Sequence, residues 1–261
     1  MSTYFTEEQI NSILQNIDIK FEEKEIALEF TEEPITNIRK TIASVMTSSL
    51  QTNAPFTGMR DLDVSAIVEL REKLRGFTSA KNIKLTYLAF IVKAAALTIQ
   101  KMSQINIRSN FEENKLILLK NINIGIAVDT ARGLIVPVIK NVDKMSVYQI
   151  ASKIEELANK ARDGKLTLRE VKDSTFTITN YGSVKLEYAT PIINPPNSAI
   201  LGVGGIKKIP VFNDKNEIIS TYVIPFSMTA DHRVIDGAEI GRFLIEFDNY
   251  MKNPLLLFEK F

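Results

Sequence analysis

One histidine and no cysteine occur among the 261 residues, so few side chains can carry covalent or acid–base chemistry. His232 stands in Ala230-Asp231-His232-Arg233-Val234-Ile235-Asp236-Gly237-Ala238. A reaction that needs a neutral base near pH 7 falls to it by elimination. A lone histidine is more often a packed structural residue, and the pattern alone leaves that reading open. Its setting favours chemistry. It ends a hydrophobic strand, precedes an Asp-Gly turn and sits before a helix start, where rigid elements hold functional loops.

Other constellations fail. Without cysteine there is no disulfide, no thiolate zinc site and no acyl-cysteine, and one histidine cannot ligate zinc alone, so no metal site is expected. Gly202-Val203-Gly204-Gly205 lacks the third glycine of a dinucleotide fingerprint, since Lys207 holds that place. Gly164-Lys165 has no Walker spacing before it, and no G-x-S-x-G elbow occurs. What remains is a histidine with hydroxyl residues and no nucleophile of its own. Such a set suits direct transfer between two bound substrates: the base deprotonates a thiol or alcohol, and a donor stabilises the oxyanion.

These residues need a scaffold. Hydrophobic residues make up 45% and charged residues 24% of the chain, ordinary globular proportions. A chain of this size buries roughly 70–75% of the surface it exposes when unfolded. The net charge of +1 gives no bulk field for nucleic acid or an anionic membrane, while leaving room for a local basic pocket. The first residues have no basic or apolar region of a signal peptide. Leu85 to Ile99 is too short to span a bilayer, contains Lys93, and reads as a buried helix. A soluble, cytoplasmic protein is expected.

Residues 1–33 form the most polar part, with Glu22-Glu23-Lys24-Glu25 at its centre. They read as an N-terminal arm with a short helix around Thr6–Asn16, and 34–261 as the main domain. Helical spacing of Ile38, Ile42, Val45 and Met46 predicts a helix to about Thr52, before Pro55. A strand follows at Phe56–Val64, then a helix capped by Ser65 and ending at Gly76. Thr86 opens an apolar helix to about Met102. Strands are expected at Ile105–Phe111, Lys115–Leu119, Ile122–Val128, Leu134–Ile139, Thr175–Thr179, Ala199–Val203 and Ile218–Met228. Ser146 with Gln149, and Thr167 with Glu170, look like capping boxes; Gly164 stops the first of these two helices. The last helix begins near Gly237. Strands and helices mix without strict alternation, which favours α+β or a mixed sheet over a doubly wound fold.

At this point the sequence resembles a known family. His232 to Gly237 matches the H-x-x-x-D-G signature of dihydrolipoamide acyltransferases and chloramphenicol acetyltransferases. Three further blocks resemble the former: Asp129-Thr130-Ala131-Arg132-Gly133-Leu134-Ile135-Val136-Pro137-Val138, Phe176-Thr177-Ile178-Thr179-Asn180-Tyr181-Gly182-Ser183, and Ala189 through Gly204. The likeness covers about Pro34 to the C-terminus. It implies a chloramphenicol acetyltransferase-like α/β fold, a mixed-sheet sandwich that forms trimers with active sites between subunits. By the same resemblance His232 is the general base, Thr179 supplies the oxyanion hydroxyl from the facing subunit, and Asp236 fixes the histidine loop. Arg71, Thr86, Asp129, Asn180 and Gly204 fall where relatives contact coenzyme A. Thr86 also reads as a helix cap, Arg71 as a surface helix residue, and Gly204 as a turn residue.

The resemblance implies acyl transfer between coenzyme A and a dihydrolipoyl group, in the core of a 2-oxo acid dehydrogenase complex. Residues 1–33 are too few for the lipoyl and peripheral-subunit-binding domains that relatives carry. Unless the chain is a piece of a longer protein, the lipoyl group is expected on a separate carrier protein, with dehydrogenase subunits as further partners of a homotrimer or a cage of trimers. Lys185-Leu186 stands where relatives commonly have a Gly-Gly pair, a change that could narrow the acyl or lipoyl channel. Two rival readings stay open: a non-catalytic assembly core, and a small-molecule acetyltransferase. The apolar tail Leu255-Leu256-Leu257-Phe258 with Phe261 either docks on a neighbouring trimer or folds onto its own domain.

Overall fold

The structure, a computed structural model, describes residues 4–17 and 28–259. The chain divides into two units, Met1–Ile35 and Thr36–Phe261. In the first, α1 (Glu7–Gln15) opens with a capping box: the Gln9 side chain accepts the Thr6 N–H at 2.9 Å and the Thr6 hydroxyl accepts the Gln9 N–H at 3.2 Å. The Glu22–Glu25 run and Phe261 lie outside the described residues.

The second unit begins with α2 (Asn37–Thr52), capped by the Thr36 hydroxyl and ended ahead of Pro55, whose ring disfavours helical backbone before it. A mixed sheet follows. Its strands run in the order β1 (Pro55–Asp63), β9 (Ile218–Asp231), β7 (Ala199–Val203), β6 (Phe176–Asn180), β4 (Ile124–Ile126) and β5 (Val138–Ile139), with β8 (Lys207–Phe212) paired to the first half of β9. The three pairs β1–β9, β9–β7 and β4–β5 are antiparallel, whereas β7–β6 and β6–β4 are parallel. A separate hairpin joins β2 (Ile107–Asn110) to β3 (Lys115–Leu118).

The long strand β9 shows why the sheet is buried on both faces. Ile224, Phe226, Met228 and Ala230 belong to the apolar core, and the alternate residues Ser227, Thr229 and Asp231 are also at most 1% exposed. Because successive side chains point to opposite faces, one face is apolar and the other polar. The polar face is hydrogen-bonded, as buried polar groups must be: Thr229 pairs with Thr57 at 2.8 Å, and Ser227 accepts from the Tyr181 hydroxyl at 2.9 Å.

Helices cover the apolar face. α4 (Tyr87–Lys101) is buried continuously from Ala89 to Ile99, the expected fate of a helix apolar all round. Lys93 within it donates to the Asp143 carbonyl at 2.7 Å; burial lowers its pKa, opposed by the Asp143 charge. α5 (Val147–Asp163) and α7 (Gly237–Lys252) flank α4. From α7, Phe243 stacks on Phe176 at 5.9 Å and Phe247 meets Phe226 edge-on at 5.0 Å.

Several elements differ from the sequence expectation. Helix α3 (Ser65–Ala80) starts one residue after Val64 and takes Ser65 as its first residue, with the Asp63 carboxylate accepting the Ser65 N–H at 2.8 Å. It continues through Gly76 because Thr78 is buried in the next turn, and the left-handed residue that follows it is Asn82, at φ +54°. Strands β4 and β5 are shorter than their apolar runs; Val128 and Ile135 meet only in an isolated bridge. β8 is not among the expected strands; it contains Pro210, which an edge strand paired on one side tolerates. Both expected capping boxes form, with α6 (Leu168–Val171) after the second. Gly164 ends α5 at φ +71°. The C-terminal tail folds onto its own domain as far as Phe258: Leu257 is buried, and Phe258 packs on Tyr148 and Phe90 at 5.8 and 6.3 Å.

Candidate active site

His232 follows the last residue of β9, and its position is fixed by what surrounds that strand end. Its backbone N–H donates to the Ala54 carbonyl at 2.8 Å. The preceding Asp231 is 1% exposed. Its carboxylate accepts the Ala54 N–H at 3.1 Å and takes a bidentate fork from Arg233, with Nε at 2.9 Å and Nη2 at 2.7 Å. Burial pushes the Asp231 carboxyl up, but the Arg233 guanidinium and the two backbone donors outweigh it and hold the group below its usual pKa. Arg233 in turn lies over the Phe111 ring, 4.2 Å from its centroid. The loop is thus pinned to β1 and to the β2–β3 hairpin.

The imidazole remains 45% exposed and packs edge-on against Phe56 at 5.1 Å. Nδ1 lies 3.8 Å from an Asp236 carboxylate oxygen, an ionic distance beyond hydrogen-bond reach. Asp236 is the N-cap of α7, with its N–H donating to Glu239 at 2.8 Å. Asp236 therefore anchors the end of the loop that carries His232.

The other sequence-predicted residues gather elsewhere. Thr179, Asn180 and Asp129 line one cavity of about 530 Å³, together with Tyr181, Leu88 from α4 and Arg162 from α5. The three come from the ends of β6 and from the loop after β4. Arg71 reaches the chain on either side of Thr86, at the start of α4. Arg71 Nε donates to the Leu85 carbonyl at 2.9 Å, and its guanidinium lies 4.9 Å from the Tyr87 centroid. Thr86 is the N-cap of α4, yet its hydroxyl makes no capping bond. Leu88, two residues on, connects this corner to the cavity.

Gly204 serves close approach: a Cβ there would collide with the Glu187 carbonyl oxygen, so the segments after β6 and β7 can touch only through glycine. Lys185 adopts a left-handed φ of +65°. Lys185 and Leu186 are exposed and do not line the cavity; the expected narrowing is not seen within one subunit.

His232 and Thr179 are not brought together in one chain. Thr179 pairs with Gly202, and Gly202 with Ser227, which puts Thr179 five residues along the sheet from His232 and two strands across. Strand rise and spacing make that roughly 19 Å. The two residues expected to act together are thus far apart within one subunit.

Residues 27–259 match the model of the 2-oxoacid dehydrogenases acyltransferase catalytic domain. The chain belongs to that acyltransferase family. It is 50% identical, over 92% of its length, to the dihydrolipoyllysine-residue acetyltransferase component of the pyruvate dehydrogenase complex of Mycoplasma capricolum, of which it covers 55%. The chain spans about half the length of the curated relatives it matches. Two acyltransferase structures share 32% identity and a TM-score of 0.85, over 88% of this chain and 95% of theirs. One is the cubic core of a pyruvate dehydrogenase multienzyme complex. The other is the Azotobacter vinelandii dihydrolipoamide acetyltransferase, for which a serine, a histidine and an asparagine were investigated in the catalytic mechanism. Chloramphenicol acetyltransferase matches at a TM-score of 0.50 and 12% identity, over 84% of this chain and 100% of that one, which shows the shared fold alone. The mixed-sheet, chloramphenicol acetyltransferase-like expectation therefore holds for this acyltransferase domain.

Two features of the site escaped the sequence. The Asp231–Arg233 clamp had a signal, an acid and a base flanking the lone histidine, but its burial is visible only when β1 and β9 pair. The Tyr181–Ser227 bond spans 46 positions and leaves no local trace.

Proposed function

We propose that the chain transfers acyl groups between coenzyme A and the dihydrolipoyl group of a lipoyl carrier, by direct transfer, as the core of a 2-oxo acid dehydrogenase complex. The observation that carries this reading is the split site. A rigidly held base and a hydroxyl-bearing cavity occupy opposite ends of one sheet, so only a second copy can bring a Thr179 to a His232. A homotrimer with sites between subunits, assembled into a cage with dehydrogenase subunits around it, meets that need. The names of the relatives favour an acetyl group and a pyruvate dehydrogenase complex. Among the described residues no helix is long and apolar enough to cross a membrane, and work in the cytoplasm is part of the proposal.

His232 takes the proton of the attacking thiol, which is mostly protonated at neutral pH with a pKa of ~8.5. The thiolate adds to the thioester carbonyl, and the Thr179 hydroxyl of the facing subunit donates to the tetrahedral oxyanion. Collapse expels the other thiolate, which recovers the proton from the imidazolium. One oxyanion donor contributes about 3–4 kcal/mol to the transition state. Asp231, Arg233 and Asp236 hold the loop, so the imidazole stays aimed without moving as charge develops.

Transfer from acetyl-, isobutyryl- and isovaleryl-coenzyme A to dihydrolipoamide tests the proposal, with His232→Ala as control. Acetyl transfer that falls about a thousandfold in the variant supports it. Equal rates in both proteins would leave an assembly core instead.

A further inference from the structure

The hairpin of β2 and β3 stands apart from the main sheet, and a two-stranded hairpin alone is marginally stable in water. Ile107 is the one buried residue of its two strands; Leu116, Ile117 and Leu118 are all exposed. It therefore adds little to the core, yet its construction is specific. At the base the Asn106 side chain donates to the Leu119 and Asn121 carbonyls at 2.8 and 2.9 Å, and Arg108 Nη2 donates to the Ser174 carbonyl at 3.0 Å. In the turn the Asn110 side chain accepts the Glu113 N–H at 3.1 Å, and Asn114 takes a left-handed φ of +51°, which asparagine tolerates. This scaffold presents the half-exposed ring of Phe111 to the Arg233 guanidinium.

Arg233 stands next to His232 and is held on two surfaces. Its edge forms the fork to Asp231, and its face lies on the Phe111 ring. A guanidinium offers both at once, planar donors at the rim and a cationic face that aromatic rings attract. The fork alone leaves the guanidinium free to rock about the line of the carboxylate, and the ring closes that motion. Phe111 and Arg233 line the same open groove of about 520 Å³, so their contact is solvated and contributes little to the stability of the fold. What it fixes is direction. Asp231 accepts the Ala54 N–H, and the Ala54 carbonyl accepts the His232 N–H. Ring, guanidinium, carboxylate and strand end form one connected path to the backbone of the histidine.

Resting on the acyl-transfer reading, we propose that Phe111 is a positioning residue for the reaction: its ring holds Arg233 in the fork with Asp231, and the β2–β3 hairpin thereby aims the His232 imidazole. Phe111 touches neither thiol nor thioester and moves no proton. Its loss leaves substrate binding intact and lets the base drift from the thiol, so the cost falls on turnover.

Steady-state transfer from acetyl-coenzyme A to dihydrolipoamide, measured on the full chain, tests this. Phe111→Ala should lower kcat at least about threefold, with KM for both substrates constant and the urea unfolding midpoint nearly unchanged. Phe111→Tyr, which keeps an aromatic face, should restore kcat. A double-mutant cycle tests the path itself. Asp231→Asn with Arg233→Gln replaces the ion pair by neutral amides; adding Phe111→Ala there should lower kcat no further, because no guanidinium remains for the ring to hold. The Phe111 variants alone decide if that background does not fold. An unchanged kcat in Phe111→Ala, a loss that appears in KM instead, or an equal further loss in the neutral background overturns the positioning role and leaves the acyltransferase reading standing. Absence of acyl transfer by the wild-type protein overturns both.

Discussion

In the proposed reaction, residues divide into those that react and those that aim. Thr179 is proposed to act through its hydroxyl alone. Thr179→Ala should lower kcat by about 10²–10³-fold with KM for acetyl-coenzyme A nearly constant, and Thr179→Ser should restore most of it, as steady-state kinetics will show. Asp231 works through the loop and through stability. Its folded pKa is lowered, so its stabilisation is present above its unfolded value of about 3.9 and is lost as pH falls through the lower folded value. Asp231→Asn should therefore destabilise the protein at pH 7 and flatten its acid-unfolding limb below about pH 4, followed by urea unfolding across pH. Lys185 occupies backbone space that glycine enters freely; Lys185→Gly should leave kcat unchanged, because the side chain is exposed away from the cavity.

Elements decide where these residues stand. β9 reaches Asp231 instead of stopping near Met228, so the histidine loop leaves directly from a paired strand end opposite Pro55. The tail after α7 packs Leu257 into the core and Phe258 on Tyr148 of α5. Leu257→Ala should cost about 2–4 kcal/mol in denaturant unfolding; a loss below half a kcal/mol would mean that this segment stabilises little within its own domain. The strong local signals, capping boxes at Ser146 and Thr167 and the left-handed Gly164, read correctly because they depend on residues three or four apart. Gly76 misled because helix termination there is overridden by burial of Thr78 in the next turn.

At the scale of the whole molecule, the proposed roles of His232 and Thr179, which lie far apart in one subunit, would make catalysis a property of the assembly. Neither His232→Ala nor Thr179→Ala alone should turn over at an appreciable rate. Unfolding and refolding the two variants together should rebuild about a quarter of the sites, each with one intact residue from each parent. An activity assay on the mixed and separate refolded samples reads this directly. No recovery in correctly sized oligomers would sink the shared site.

The family was legible in the linear chain because it rests on identity: blocks of fixed order around Asp129, Thr179 and His232. The mixed-sheet class followed from hydrophobic periodicity, which local spacing encodes. Tertiary structure decided what depends on distant segments meeting. Pairing of β1 with β9 buries Asp231 against Ala54 and so aims the histidine. The packing of α4 and α5 on the ends of β4 and β6 makes a cavity from Leu88, Asp129, Arg162 and Thr179, residues separated by up to 91 positions. The sheet register sets His232 and Thr179 apart, because burial and distance are properties of contacts that no single stretch of sequence contains.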